Sequence, residues 1–173
     1  AGPVSSRSPA LAGSYSLADR QLVVANASYQ VGNMEISAAG RADLTEELPG
    51  VFMTITGKNI NAAHVTHYWP VNRAAQTRGW LLDHIRSGNV GAARAELKIQ
   101  PHMWGKDKIP ADALNVDFSF RNVHAKLYEP YDDLKKARGR ARLTGESFDL
   151  TLDSGQSGPL AFSDGRVSLP DLG

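Results

Sequence analysis

The chain has no cysteine among its 173 residues. That excludes disulfides and thiolate metal sites, and it suits either the cytosol or a bacterial periplasm. Neither sign of charge is in excess. Nineteen Lys and Arg stand against 18 Asp and Glu, for a formal net charge of +1, so nothing draws the chain in bulk to nucleic acid. No apolar run approaches the ~18 residues that a membrane-crossing helix needs, and no secretory leader is legible. Phosphate loops and dinucleotide fingerprints are missing. Gly155-Gln156-Ser157-Gly158 lacks the second spacer of a nucleophile elbow. Helical periodicity is scarce, and only one stretch carries it.

What is present is a foldable composition, 42% hydrophobic and 21% charged, in a chain long enough to bury a core as one domain. Residues 1–12 read as a flexible segment or cloning scar. Residues 13–173 read as a single β-rich domain excised from a longer protein. Residues 14–18 make a weak strand. QLVVANASYQV, rich in β-branched residues, is a strand, and Gly32-Asn33 fits a hairpin turn. Alternation then predicts strands over 34–45, 51–56, 114–120 with a continuation to 127, 137–143 and 148–152. Ser163-Asp164-Gly165 reads as the turn of a last hairpin between 160–162 and 167–169.

The exception is 68–99. Asn72 is a candidate N-cap, and Ala74, Ala75, Arg78, Leu81, Leu82 and Ile85 form one largely apolar stripe. These predict a helix over 73–86, with Gly88 just past its end and a strand from Val90 to Ile99. Leu81, Leu82 and Ile85 are expected to dock on a sheet. The whole is expected to be mainly β with one helix, an antiparallel sheet of about 8–10 strands. One echo runs through it: Gly40-Arg41-Ala42-Asp43-Leu44-Thr45 recurs as Gly139-Arg140-Ala141-Arg142-Leu143-Thr144.

Candidate chemistry is sparse. His64-x-x-His67 could put two imidazoles on one helical face, but no third ligand accompanies them. Glu46-Glu47 and Asp132-Asp133 are adjacent, so on a strand they point to opposite faces and form no acid–base pair. Lys135, Lys136, Arg138, Arg140 and Arg142 are the strongest charge feature. They read either as the solvated face of a strand or as a rim meeting anionic headgroups. Trp69, Trp80 and Trp104 suit packing better than a sugar platform. No cofactor is implied and no catalytic set is found, so the chain is expected not to be an enzyme.

Tyr68-Trp69-Pro70, then Thr77-Arg78-Gly79-Trp80-Leu81, then Gly88-Asn89-Val90 resemble a segment of the AsmA-like bacterial envelope proteins, of the YhdP type and more distantly TamB. The resemblance extends from about residue 22 to 169. The long loop 101–112 and Asp132-Asp133 depart from the family's pattern. It implies a strongly twisted or curved, groove-like sheet, and a periplasmic location with the parent protein anchored in the inner membrane of a Gram-negative cell. It implies phospholipid and neighbouring β segments of the parent protein as partners, and no catalytic residues. The groove lining expected from alternation is Val51, Met53, Ile55, Leu114, Val116, Phe118, Phe120, Leu143, Phe148, Leu150 and Leu152, with Lys135, Arg138 and Arg142 at a headgroup rim. The competing expectation is a structural β-domain with a closed core and a protein-binding surface. Alternation alone leaves the two open, because it reports one apolar face and not what covers it.

Overall fold

The computed structural model describes residues 6–62, 79, 82–105, 110–127, 129–130 and 132–170. Nine strands form one antiparallel sheet in sequence order, β1 (Ser6–Ser16), β2 (Gln21–Val31), β3 (Met34–Asp43), β4 (Gly50–Asn61), β5 (Ile85–Ile99), β6 (Leu114–Ala125), β7 (Leu134–Thr144), β8 (Phe148–Ser157) and β9 (Leu160–Leu169). The order is a meander: short turns join β1 to β2, β2 to β3, β3 to β4, β7 to β8 and β8 to β9, while longer connections lead into β5, β6 and β7, and strands with alternating sequences each take a partner along the sheet. Among the described residues, strands pack substantially only against their sequence neighbours. β1 and β9 therefore do not meet, and the sheet is open.

An open single layer exposes more surface than a closed domain. The accessible area is 11538 Å², against roughly 8300 Å² expected for a compact monomer of 18.7 kDa. Among the described residues, no large side chain is fully buried. What core there is lies over β6 and β7, where Phe120, Val123, Ala125 and Ala137 cluster with Ile85, Phe118, Leu134, Leu150 and Leu152 packed on them.

Several expectations change. Ser6–Ser16 is a full strand paired along β2, where sequence suggests a flexible stretch to residue 12 and a weak strand from 14. Its Ser, Pro and Gly content hides a strand whose order comes from its partner. A short helix is present, with helical conformation at 82–84, but β5 starts at Ile85. Ile85 pairs with Ala125, and the backbone N–H of Lys126 donates to His84 O at 2.7 Å, so the sheet claims the end of the apolar stripe. Gly88 is thus inside a strand, not at a helix end. Its φ is 145°, and a Cβ there would lie 2.6 Å from Val123 Cγ2 and 2.9 Å from Val123 Cα. Leu82 is 46% exposed, so it does not dock as expected. Leu81 lies outside the described residues, as do His64, His67, Trp69 and Trp80. Finally, β9 runs unbroken through Ser163-Asp164-Gly165. The hairpin turn is at residues 158–159, and Asp164, with φ 58°, is an irregularity within the strand.

The internal echo is structural. Gly40 faces Met53 and Ala42 faces Val51, as Gly139 faces Leu152 and Ala141 faces Leu150. Both glycines lie where the next strand's backbone comes close: a Cβ on Gly139 would collide with Thr151 O, and one on Gly40 with Phe52 O.

Two links tie turns to the sheet. The Trp104 indole N–H donates to Pro49 O at 2.6 Å, joining the β5–β6 connection to the β3–β4 turn, which gives this tryptophan a structural role. Trp104→Phe keeps the six-membered ring and removes the donor. It should cost about 0.5–1.5 kcal/mol in a urea titration without changing the far-ultraviolet spectrum. At the end of β3, Asp43 Oδ1 accepts from the Thr45 hydroxyl at 2.7 Å and from its backbone N–H at 3.0 Å. These two hydrogen bonds hold the exposed Asp43 carboxyl below the ordinary aspartate value. A carboxylate depressed in the folded state stabilises above its unfolded pKa, and that stability fades as pH falls through the lower folded value. The midpoint difference between the parent chain and Asp43→Ala should therefore be full near neutrality and shrink on acidification below the usual carboxylate range.

Candidate functional site

In a paired antiparallel sheet, residues opposite each other share a face. Following the register across the strands gives five apolar rows. One is Leu22–Ala42–Val51–Ile99, and the next is Val24–Gly40–Met53–Leu97–Leu114. The third, Ala27–Ala38–Ile55–Ala95–Val116–Leu143–Phe148–Leu169, crosses from β2 to β9. So does the fourth, Tyr29–Ile36–Gly57–Ala93–Phe118–Ala141–Leu150–Val167. The fifth is Val90–Phe120–Gly139–Leu152–Gly165. No Asp, Glu, Lys or Arg occupies these rows. All eleven candidate residues, Val51, Met53, Ile55, Leu114, Val116, Phe118, Phe120, Leu143, Phe148, Leu150 and Leu152, therefore lie on one face. Seven inter-strand spacings of about 4.8 Å give the two long rows a span of roughly 34 Å.

Coverage of this face is uneven. Phe120 is 8% exposed in the central cluster, whereas Leu22 is 40% and Val167 50% exposed nearer the edges. Leu11, Tyr15, Leu22 and Tyr29 on one side, and Leu160, Phe162, Val167 and Leu169 on the other, are exposed large apolar side chains. They extend the face beyond the residues singled out from sequence. Of these only Leu11 falls in the stretch that sequence shows as flexible; the others lie on segments that read as strands, where their alternation is legible but does not single out their place on this face.

The opposite face is polar and ordered by charge. Arg94, Asp117, Arg142 and Asp149 stand in one row in alternating sign. Arg142 Nε is 3.7 Å from Asp117 Oδ1 and donates to Asn115 Oδ1 at 3.2 Å. Lys58 and Glu35, Arg140 and Asp153, and Arg166 and Asp149 also lie within 4 Å of each other. Ser37 and Thr56 share a hydrogen bond at 2.8 Å, and the Arg41 guanidinium is 4.6 Å from the Phe52 ring centroid. Exposed pairs of this kind stabilise little individually. In a row they penalise a one-residue slip, which would also turn the apolar rows outward.

The expected rim residues belong to this side. Arg138 and Arg142 alternate with Ala137, Gly139, Ala141 and Leu143 of β7, so they point away from the apolar face. Lys135, beside Leu134, is exposed at the start of β7, near Glu129, Asp132 and Asp133. The three do not converge over the apolar rows. Asp133 is engaged with His124, Nε2 to Oδ2 at 2.9 Å. Among the described residues, no three His, Asp or Glu side chains gather as a metal site would require, and no helix is long and apolar enough to cross a membrane. No family model, no curated protein and no solved structure matches the chain.

Proposed function

We propose that the chain is a segment of a periplasmic, AsmA-like envelope protein whose apolar face binds or conducts phospholipid acyl chains between inner and outer membranes. Its parent would be anchored in the inner membrane and would support outer-membrane integrity. The observation that carries this reading is the apolar face itself: charge-free rows from β2 to β9, with large side chains still exposed towards both edges. Apolar patches beyond a few hundred Å² mark interaction surfaces. Acyl chains suit such a face because they ask for no directional partner, and each methylene removed from water contributes about 0.8 kcal/mol. Roughly 34 Å of rows exceeds the ~15 Å of one leaflet's chains, half of a ~30 Å hydrocarbon core. The right-handed twist natural to a large antiparallel sheet would curve the face into a groove. Headgroups stay at its margin in water, since no cation on the face could hold a phosphate.

The cluster around Phe120, already shielded from water, favours a second reading. There the face is the closed core of a structural, protein-interacting β-domain. Lipid extraction of the purified chain followed by mass spectrometry separates the two. The lipid reading expects co-purified phospholipid. A folded chain that carries none, and takes up none from phospholipid vesicles, leaves the structural domain.

A further inference from the structure

We infer that a depression on the polar face, over β5 to β8, binds a phosphomonoester. Its volume is about 470 Å³, and Gly91, Ser119, Arg121, Arg138, Arg140 and Asp153 border it, with Phe120 and Gly139 between them. Ser119 and Arg121 alternate with Phe120, and Arg138 and Arg140 with Gly139, so the polar side chains stand away from the apolar rows. The site is independent of what those rows bind. Small-ligand sites usually measure ~300–1,000 Å³, so there is room for a phosphate and the group it is esterified to. The depression exists because the ladder breaks at one level in neighbouring strands. Gly91 is an extra residue of β5 against β6, Arg121 and Asn122 of β6 stand against Arg138 alone, and Asp153 is an extra residue of β8 against β7. Such bulges re-aim side chains and recur beside functional sites. A Cβ at Gly91 would come 3.1 Å from Ser119 Oγ, so any side chain there would crowd the hydroxyl and fill the space.

The charges at the depression break the rule of the rest of this face. Arg94, Asp117, Arg142 and Asp149 alternate in sign across the strands, but Arg121, Arg138 and Arg140 gather around one carboxylate, Asp153. Like charges side by side on a sheet are destabilising. Asp153 Oδ1 lies 3.9 Å from Arg140 Nη2, and the two side chains are 41% and 74% exposed, so this pair is loose and solvated. Arg121 Nη2 donates to the neutral Asn59 Oδ1 at 2.9 Å. Among the described residues Arg138 has no ion-pair partner. The connection into β5, residues 63–81, contains no Asp or Glu. Three arginines less one aspartate leave a formal excess of two positive charges. A phosphomonoester, at about −1.5 to −2 near pH 7, matches that excess, whereas a phosphodiester or a carboxylate carries a single charge. Guanidinium forks reach two oxygens of one phosphate. Ser119 Oγ accepts from the Ala92 backbone N–H at 3.1 Å, which leaves its own hydrogen to donate to another oxygen.

Calorimetric titration of the purified chain with glycerol 3-phosphate, and with inorganic phosphate, tests the site. Binding should weaken roughly tenfold in Arg138→Gln. It should be unchanged in Arg142→Gln, which removes a guanidinium of the same strand and face that lies beside Asp117, outside the depression. Both arginines are exposed, so both variants should keep the circular dichroism of the parent chain. Phosphatidylcholine vesicles with and without phosphatidate separate the two sources of a phosphomonoester. Tighter binding of glycerol 3-phosphate than of inorganic phosphate, with no phosphatidate-dependent retention on vesicles, marks a soluble ester. Phosphatidate-dependent retention marks a lipid headgroup. Either result, lost in Arg138→Gln and kept in Arg142→Gln, supports the site. Equal weakening in the two variants, or no binding of glycerol 3-phosphate, inorganic phosphate or phosphatidate, overturns it.

Discussion

Phe120→Ala should destabilise the sheet by about 3 kcal/mol, the largest loss expected from truncating any one side chain on the apolar face. Phe→Ala substitutions in cores cost about 3–5 kcal/mol through lost transfer energy and the cavity left behind. The lower end applies here because the ring lies on a face with an open side, where neighbours can settle inward. Among the described residues, Phe120 sits in the cluster shielded from water, beside Val123 and Ala137. Its ring also rests over Gly139, where a Cβ would come 2.7 Å from Phe120 Cζ. By contrast, Leu169, 47% exposed in the edge strand, has less to lose. Urea titrations of Phe120→Ala and Leu169→Ala should therefore differ by a clear margin in midpoint. Equal shifts would mean that the centre of the face is no better packed than its edge.

The second large effect concerns binding. Leu22→Asp should reduce phospholipid retained by the purified chain at least tenfold while leaving its circular dichroism unchanged. Leu22 is 40% exposed on the apolar face, so a carboxylate there stays hydrated in the empty protein and the fold tolerates it. An acyl chain laid across the position would strip that hydration, and burying an unpaired charge costs several kcal/mol. Every 1.4 kcal/mol is tenfold in affinity. Val23→Asp is the matched control, because Val23 pairs with Arg41 on the polar face. It should leave retention unchanged. Equal loss in both variants would point to general damage to β2 rather than to a lipid-bearing face.

Much of this arrangement was legible in the sequence because a strand's period of two survives every hairpin. Met34 to Asp43, Leu114 to Phe120 and Phe148 to Leu152 alternate cleanly, and pairing keeps the faces they assign. That is why residues as distant as Val51 and Leu152 fall on the same side. The illegible parts share one cause, pairing that overrides local chemistry. Ser6–Ser16 carries loop-like residues but is held along β2. The apolar stripe of 73–86 runs into Ile85, which Ala125 and the core draw into β5. Ser-Asp-Gly has the composition of a turn, yet β8 holds it in line as part of β9. The basic residues of β7 were ambiguous for a different reason. Arg142 is attractive as a headgroup ligand until its row is known to contain Asp117 and Asp149.

The central claim, that the charge-free face takes acyl chains, is tested most directly by a photo-crosslinking scan along neighbouring positions of β8 in the parent protein in cells. Leu150 belongs to an apolar row, while Asp149 and Thr151 lie on the polar side. Capture of phospholipid at Leu150, repeated at Met53 and Val167 but not at Asp149 or Thr151, is the expected result. Lipid captured equally at all of these positions, or at none of them, contradicts it.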